Sequence, residues 1–423
     1  MLKFIIQFLL IFVIWHYNNK NKGGMFTPSG VLLSIYTLCS FMGIMLLCNG
    51  EFQTALQDRY WFPMIIFDLF IILYLLPFYK YNETQINNFK IPNKTFLDVF
   101  STIIIILSIY SILFFAKSVI GIFSMGDLGE ARNARYGSGG VEYFEAGLQA
   151  TIASVAAANY CFAIVLFFIY AIIGNSKKRC ILLLLSSISE PVHVLAFVGR
   201  DGIVFWLFTF AFCYAFFRPF LQESIDKQIR KICIIGGSIL LIPFMLITIS
   251  RFALSDYMGG GTGNSMVAYM GQPFVQGPLF FGIDNKPIRI GSAFPLFYEI
   301  TNTHQLNNNI ADSEIGEWRS WIFSSFIVSL YQNLDLFGLI VVTILTITFF
   351  YFSIGYKKDY IDLGNYTIYL LLFQIIGQGV FYFRQGNRGG NLFIISTLFL
   401  AILFSHCCRH WNNPIILRKN GTT

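Results

Sequence analysis

The sequence predicts an all-α polytopic integral membrane protein with about 11 transmembrane helices and a large extracytoplasmic loop in its second half. Three observations carry this. The 423 residues are 56% hydrophobic and only 12% charged, with mean hydropathy +0.63, whereas a soluble domain carries about 25% charge. Eleven apolar runs recur along the chain, and about 20 apolar residues are enough to span a bilayer. One stretch, Arg251–Trp321, breaks that pattern: it is polar, rich in Gly, Asn and Pro, and at about 70 residues too long for a plain connector. The chain is therefore expected as a single membrane domain, 1–423, with a water-facing loop at 250–321 inserted between spans. The net charge of +7 does not point to nucleic acid, because the cations are spread over loops between apolar runs.

The runs follow in order. Leu2–Trp15 is short, but its flank Trp15-His16-Tyr17 lacks the small residues of a signal-peptidase site, so it reads as a retained anchor. Then come Val31–Cys48, Trp61–Tyr79, Phe96–Ile120, Leu148–Ile173, Cys180–Val198, Ile203–Phe220 and Ile232–Ile249. After the loop come Trp321–Phe352, Tyr366–Phe383 and Leu392–His406. Trp321–Phe352 is over-long for one span and polar at Tyr331–Asp335, so a partly extramembrane helix is expected before the crossing. The eight cysteines lie mostly in apolar runs and form no CxxC pair. That argues against a disulfide framework or a zinc site, and Cys407 and Cys408 read as small packing residues rather than acylation sites.

Lysine and arginine orient the chain. Taking the loops alternately, one set holds Lys20, Lys22, Lys80, Lys90, Lys94, Lys177, Lys178, Arg179, Arg218, Lys227, Arg230, Lys231, Lys357, Lys358, Arg409, Arg418 and Lys419. This lysine-rich set is expected on the cytoplasmic side, with the N-terminus outside and the C-terminus inside. The other set holds Arg59, Arg132, Arg135, Arg200, Arg251, Arg289, Arg319, Arg384 and Arg388, with Lys3, Lys117 and Lys286 as its few lysines. Arginine on the outer face works against the topogenic rule, so it calls for another reason. Its rigid fork suits phosphate and carboxylate better than a lysine ammonium does.

Several outer residues are candidates for chemistry. Arg200 stands in the tight turn Phe197-Val198-Gly199-Arg200-Asp201-Gly202, where the glycines permit a sharp reversal; the bland alternative is a surface pair with Asp201. Arg251 ends a span, where interfacial snorkelling is the alternative. Arg132 and Arg135, three apart, would share one face of a short helix, or else pair with Glu130, Glu142 or Glu145. Arg384 and Arg388 lie in a glycine-rich turn that could form an anion nest, or be a plain turn. His304 stands among Thr301, Asn302, Thr303, Gln305 and Asn307 to Asn309, side chains suited to sugar hydroxyls, and histidine is the natural base near neutral pH. Glu299, Asp312, Glu314 and Glu317 are rival bases, and a lone loop histidine is often incidental. Glu190 and His193, in an apolar run, are a candidate pair at depth, with an interhelical hydrogen bond near Pro191 as the favoured alternative. Gly259-Gly260-Gly261-Thr262-Gly263 is not a phosphate loop, because no Lys-Ser/Thr follows. No His/Cys/Asp spacing suggests a protein-held metal, and no cofactor is expected.

In layout and in three short motifs the chain resembles the Wzy-type polymerases of bacterial surface polysaccharides, the O-antigen or oligosaccharide repeat-unit polymerases. The motifs are Gly199-Arg200-Asp201-Gly202-Ile203, then Tyr269-Met270-Gly271-Gln272-Pro273 through Gly277-Pro278-Leu279, and Ile322-Phe323-Ser324-Ser325-Phe326 followed by Tyr331 and Leu334-Asp335-Leu336-Phe337-Gly338. The last departs from the family by the Leu336 insertion, and the match covers about residues 97–400. The resemblance implies a GT-C-like, metal-independent glycosyltransferase of the bacterial inner membrane, active on the periplasmic face. Its donor would be a growing glycan on undecaprenyl diphosphate and its acceptor one repeat unit on the same lipid. Arg200, Arg251 and one of the pairs Arg132/Arg135 or Arg384/Arg388 would clamp the diphosphate, and His304 or a loop carboxylate would be the base. A ligase of the same fold and a flippase for the same lipid-linked sugars are the alternatives. A chain-length regulator is the one protein partner left open.

Overall fold

The computed structural model describes residues 1–125, 130–131, 134, 144–145, 147–174, 176–252, 262–282, 289–290, 293–301, 306–307, 323–355, 359–410 and 414–419. The helices in chain order are α1 (Leu2–Lys22), α2 (Pro28–Cys48), α3 (Trp61–Lys80), α4 (Lys94–Ser124), α5 (Leu148–Ala158), α6 (Tyr160–Ile173), α7 (Lys177–Ser186), α8 (Ser189–Leu195), α9 (Asp201–Phe217), α10 (Glu223–Phe252), α11 (Thr262–Phe281), α12 (Pro295–Ile300), α13 (Ser325–Ile354), α14 (Leu363–Phe373) and α15 (Arg388–His410). Among the described residues, eight helices are long and apolar enough to cross a membrane, or nine if α5 and α6, bent by 42°, make one broken span. The chain is an all-α membrane protein built of two compact units. One comprises Met1–Ile86 and Gly263–Leu403, the other Asn87–Thr262 and Phe404–Thr423.

In the first unit the helix ends are tied by buried polar groups. Pro28 opens α2, and Thr27 caps it by accepting from the Gly30 N–H; proline suits a first helical position and threonine a cap. Lys22, read from sequence as a topogenic charge, is instead buried. Its three N–H donors are shared among four acceptors: the Phe78 carbonyl at 2.8 Å, the Tyr81 carbonyl at 2.5 Å, Ser29 Oγ at 3.0 Å and Glu83 Oε2 at 2.9 Å. Glu83 Oε1 in turn accepts from the Ser29 N–H at 3.0 Å. The charges are kept because each is paired and hydrogen-bonded, which is what a buried ion pair requires. Gln7 of α1 donates to Asp68 of α3, and Lys3 is likewise buried, donating to the Gln57 carbonyl at 2.7 Å.

Three expectations are corrected here. The stretch read as one water-facing loop contains α11, whose Ala268, Phe274, Val275, Leu279 and Phe280 are buried. Its glycines look like loop residues in the sequence but serve as points of close approach. A Cβ on Gly271 would lie 2.5 Å from the Met42 carbonyl oxygen of α2, and one on Gly277 2.4 Å from the Phe67 ring of α3. Small residues let apolar helices approach this closely. Second, the expected span Cys180–Val198 is broken into α7 and α8 around Ser187 and Ile188. Pro191 has no N–H to offer the Ser187 carbonyl, which works against a continuous helix. Third, Tyr366–Phe383 is a short helix, α14, followed by a π turn at Gln374–Gln378, a feature that clusters at functional sites. The polar interruption expected near Asp335 is present: α13 departs from helical geometry there, with φ 55° and ψ −177°.

The second unit packs α4 against α5 to α8, and α9 against α6 and α8. The buried stripe of α4 runs through Leu97, Ser101, Ile104, Ser108, Ser111, Phe115, Ser118 and Ile122, the spacing of one helix face. Arg179 of α7 pairs with Asp98 at one end of α4, and Tyr170 of α6 donates to the same carboxylate. Asp226 accepts from Tyr214 and Arg230 at 2.6 and 2.5 Å. A strand at Asn88–Ile91 pairs antiparallel with Ile415–Arg418, Phe89 opposite Leu417. Cys407 and Cys408 are buried, as packing residues should be.

Candidate functional site

The best-defined arginine is Arg200, in the turn between α8 and α9. Leu195 ends α8, Val198 takes a left-handed φ of 55°, and Asp201 begins α9. Gly199 and Gly202 allow the reversal to close on itself. A Cβ on Gly199 would meet Val194 Cγ1 at 2.6 Å, and one on Gly202 would meet Val194 Cβ at 2.7 Å. Arg200 is the residue before the first turn of α9 and half-buried. Its guanidinium donates to Thr248 Oγ1 of α10 at 2.6 Å and lies over the Phe244 ring at 5.6 Å. Thr248 is itself buried and donates to the Phe244 carbonyl at 2.6 Å. A hydroxyl acceptor and an aromatic face hold the guanidinium by about 0.5–2 kcal/mol each while leaving its positive charge in place.

Arg251 lies in the last turn of α10, three residues beyond Thr248. Its side chain lies outside the described residues. Arg132 and Arg135 also lie outside them, but Ala131 is described. Ala131 packs in one apolar cluster with Ile122, Leu195, Val198, Ile203 and Ile247. Ala131, the residues flanking Arg200 and Ile247 of α10 thus meet around one cluster. Glu190 is buried in α8, three residues before His193, with Oε2 3.7 Å from Nδ1. The pair lies within one helix and not between two, and the His193 ring packs against Phe115 of α4 at 4.8 Å and Phe197 at 5.1 Å.

Arg384 and Arg388 belong to the first unit, and each has its own partner. Arg384 donates to Gln378 Oε1 of the π turn at 3.3 Å. Arg388 opens α15 and pairs at 2.6 Å with Glu299 of α12, both exposed. The turn is not the flexible nest its glycines suggested. Asn387 caps α15 by accepting from the Gly390 N–H at 2.8 Å and donates to the Arg384 carbonyl at 3.0 Å. A Cβ on Gly390 would lie 2.5 Å from Gln385 Cα, so this glycine serves compactness. His304 lies outside the described residues, while Glu299, a rival base, is engaged with Arg388.

Sequence reasoning missed the residues that hold these arginines. Thr248 and Phe244, which hold Arg200, and Gln378, which holds Arg384, all lie inside apolar runs and drew no functional reading. For Thr248 and Gln378 the signal was hydrogen-bonding capacity inside an apolar run; Phe244, which offers only a ring face, gave none. Compared with family models, curated proteins and solved structures, the chain has no match.

Proposed function

We propose that the chain is a glycosyltransferase that joins oligosaccharide repeat units carried on undecaprenyl diphosphate, in the manner of a Wzy-type polymerase. The supporting observation is the Arg200 guanidinium, fixed on Thr248 one turn before Arg251, at a cluster that also takes in the approach to Arg132. In the proposed reaction a hydroxyl of the acceptor sugar attacks the anomeric carbon of the donor. A new C–O bond forms as the bond to the lipid diphosphate breaks, and the hydroxyl proton passes to a base, for which His304 remains the candidate. Negative charge grows on the departing diphosphate. A guanidinium already fixed in place, as that of Arg200 is, stabilises it without reorganising during the reaction.

The test is complementation in a strain lacking the chain, with surface glycan length read on a gel and membrane expression of each variant verified. Arg200→Lys and Arg251→Lys should leave single repeat units displayed at the surface, since a lysine keeps the charge but not the fork. Wild-type length from both variants sinks the clamp. Repeat units trapped inside cells that lack the chain identify a transporter and overturn the reading.

A further inference from the structure

Asn391, in the first turn of α15, is buried and spends its amide on backbone alone. Nδ2 donates to the Gln385 carbonyl at 2.8 Å and to the Ala293 carbonyl at 3.1 Å, and Oδ1 accepts from the Leu296 N–H at 3.4 Å. Gln385 belongs to the turn that carries Arg384 and Arg388; Ala293 and Leu296 belong to the segment that forms α12. From α13, Asn333 holds the other side of the same residue, its Oδ1 accepting from the Ala293 N–H at 3.3 Å. Ala293 is 2% exposed, and Phe294 packs on Phe383 with ring centroids 6.1 Å apart. The C-terminal end of this segment carries Glu299, which meets Arg388. An exposed pair of that kind is weak and does not by itself fix a loop. The buried amides are the stronger attachment, because each would leave backbone groups unpaired if lost.

Space filling does not explain an asparagine here, since a leucine of similar volume would pack between apolar helices. Holding two carbonyls and one N–H does explain it, because only an amide offers both donors and an acceptor. We propose that Asn391 is a positioning residue: it locks the α12 segment to the Arg384–Arg388 turn and so sets where these two guanidinium groups are presented to an anionic substrate. The inference rests on the reading above for its substrate, while the lock itself is independent of it.

The test uses the purified full chain with Asn391→Asp and Asn391→Leu. Aspartate keeps the acceptor for Leu296 but turns a carboxylate toward two carbonyl oxygens. Hydrogen exchange over 293–301 and 384–390 should rise together by about tenfold, the population change expected for a lost buried hydrogen bond. Exchange elsewhere and the melting temperature should hold, and kcat/KM on lipid-linked repeat units should fall about ten- to a hundredfold with Arg384→Lys as the reference variant. Unchanged exchange, or a rise in one segment alone, overturns the lock. A rise throughout the first unit with a lower melting temperature makes Asn391 an ordinary structural amide and overturns the positioning role. If exchange responds as expected but Arg384→Lys and Arg388→Lys polymerise normally, the lock stands and the turn's substrate role falls.

Discussion

Gly271→Ala separates a packed helix from a water-facing loop at 262–281. In the structure the new Cβ would sit 2.5 Å from the Met42 carbonyl oxygen, 2.6 Å from its carbon and 2.8 Å from the Gly43 nitrogen. All three are backbone atoms of α2, so no side chain can swing aside. Reaching ordinary contact at 3.4 Å requires α2 and α11 to part by about 0.9 Å, and overpacking of this kind costs about 1–3 kcal/mol. Gly237→Ala on α10 is the control. Nothing lies within 4 Å of its added Cβ, so alanine should stabilise that helix by about 0.5–1 kcal/mol. Equilibrium unfolding in bicelles, followed by trapping of the unfolded state, reads both. At 1–3 kcal/mol the folded-to-unfolded ratio of Gly271→Ala falls about five- to 150-fold. A Gly271→Ala protein as stable as wild type, or more stable, refutes the close crossing, because alanine in a solvated loop is neutral or stabilising.

Other expectations follow from the same geometry. Lys22→Met leaves the Glu83 carboxylate buried without its cation and should cost about 3–5 kcal/mol; Lys22→Met with Glu83→Gln should recover much of that loss, and equal stability of the two variants would show that the ion pair is not the cause. Asp335 occupies a φ/ψ region essentially reserved for glycine. Asp335→Gly should therefore stabilise by about 1 kcal/mol, and a loss of stability would mean that the aspartate side chain outweighs its backbone strain. Arg200→Lys should lower kcat by about 10²–10³, the scale for losing one fixed donor to developing charge, with the thermal midpoint held within a few degrees. A fall in stability without a specific fall in kcat would make the Arg200–Thr248 contact structural.

The sequence by itself determined the class of the protein and most of its long helices. Hydropathy depends on composition over about 20 residues, and no tertiary contact is needed to make such a run helical in lipid. It also located the Arg200 turn and the interruption at Asp335, because glycine and clustered polar residues act locally. Where the sequence misled, the deciding force lay between elements. Gly271 and Gly277 read as loop residues until α2 and α3 were seen against them. Lys22 read as a topogenic charge until Glu83, 61 positions away, was seen to pair with it. The glycines around Arg384 read as flexibility until Asn387 and Asn391 were seen to bind their carbonyls and N–H groups. For the candidate site the division is the same. The arginines between the apolar runs were visible in the sequence, but the partners that hold Arg200, namely Thr248 and Phe244, are set by how α10 packs back against the Arg200 turn, 48 residues from Arg200 to Thr248, which no local pattern encodes.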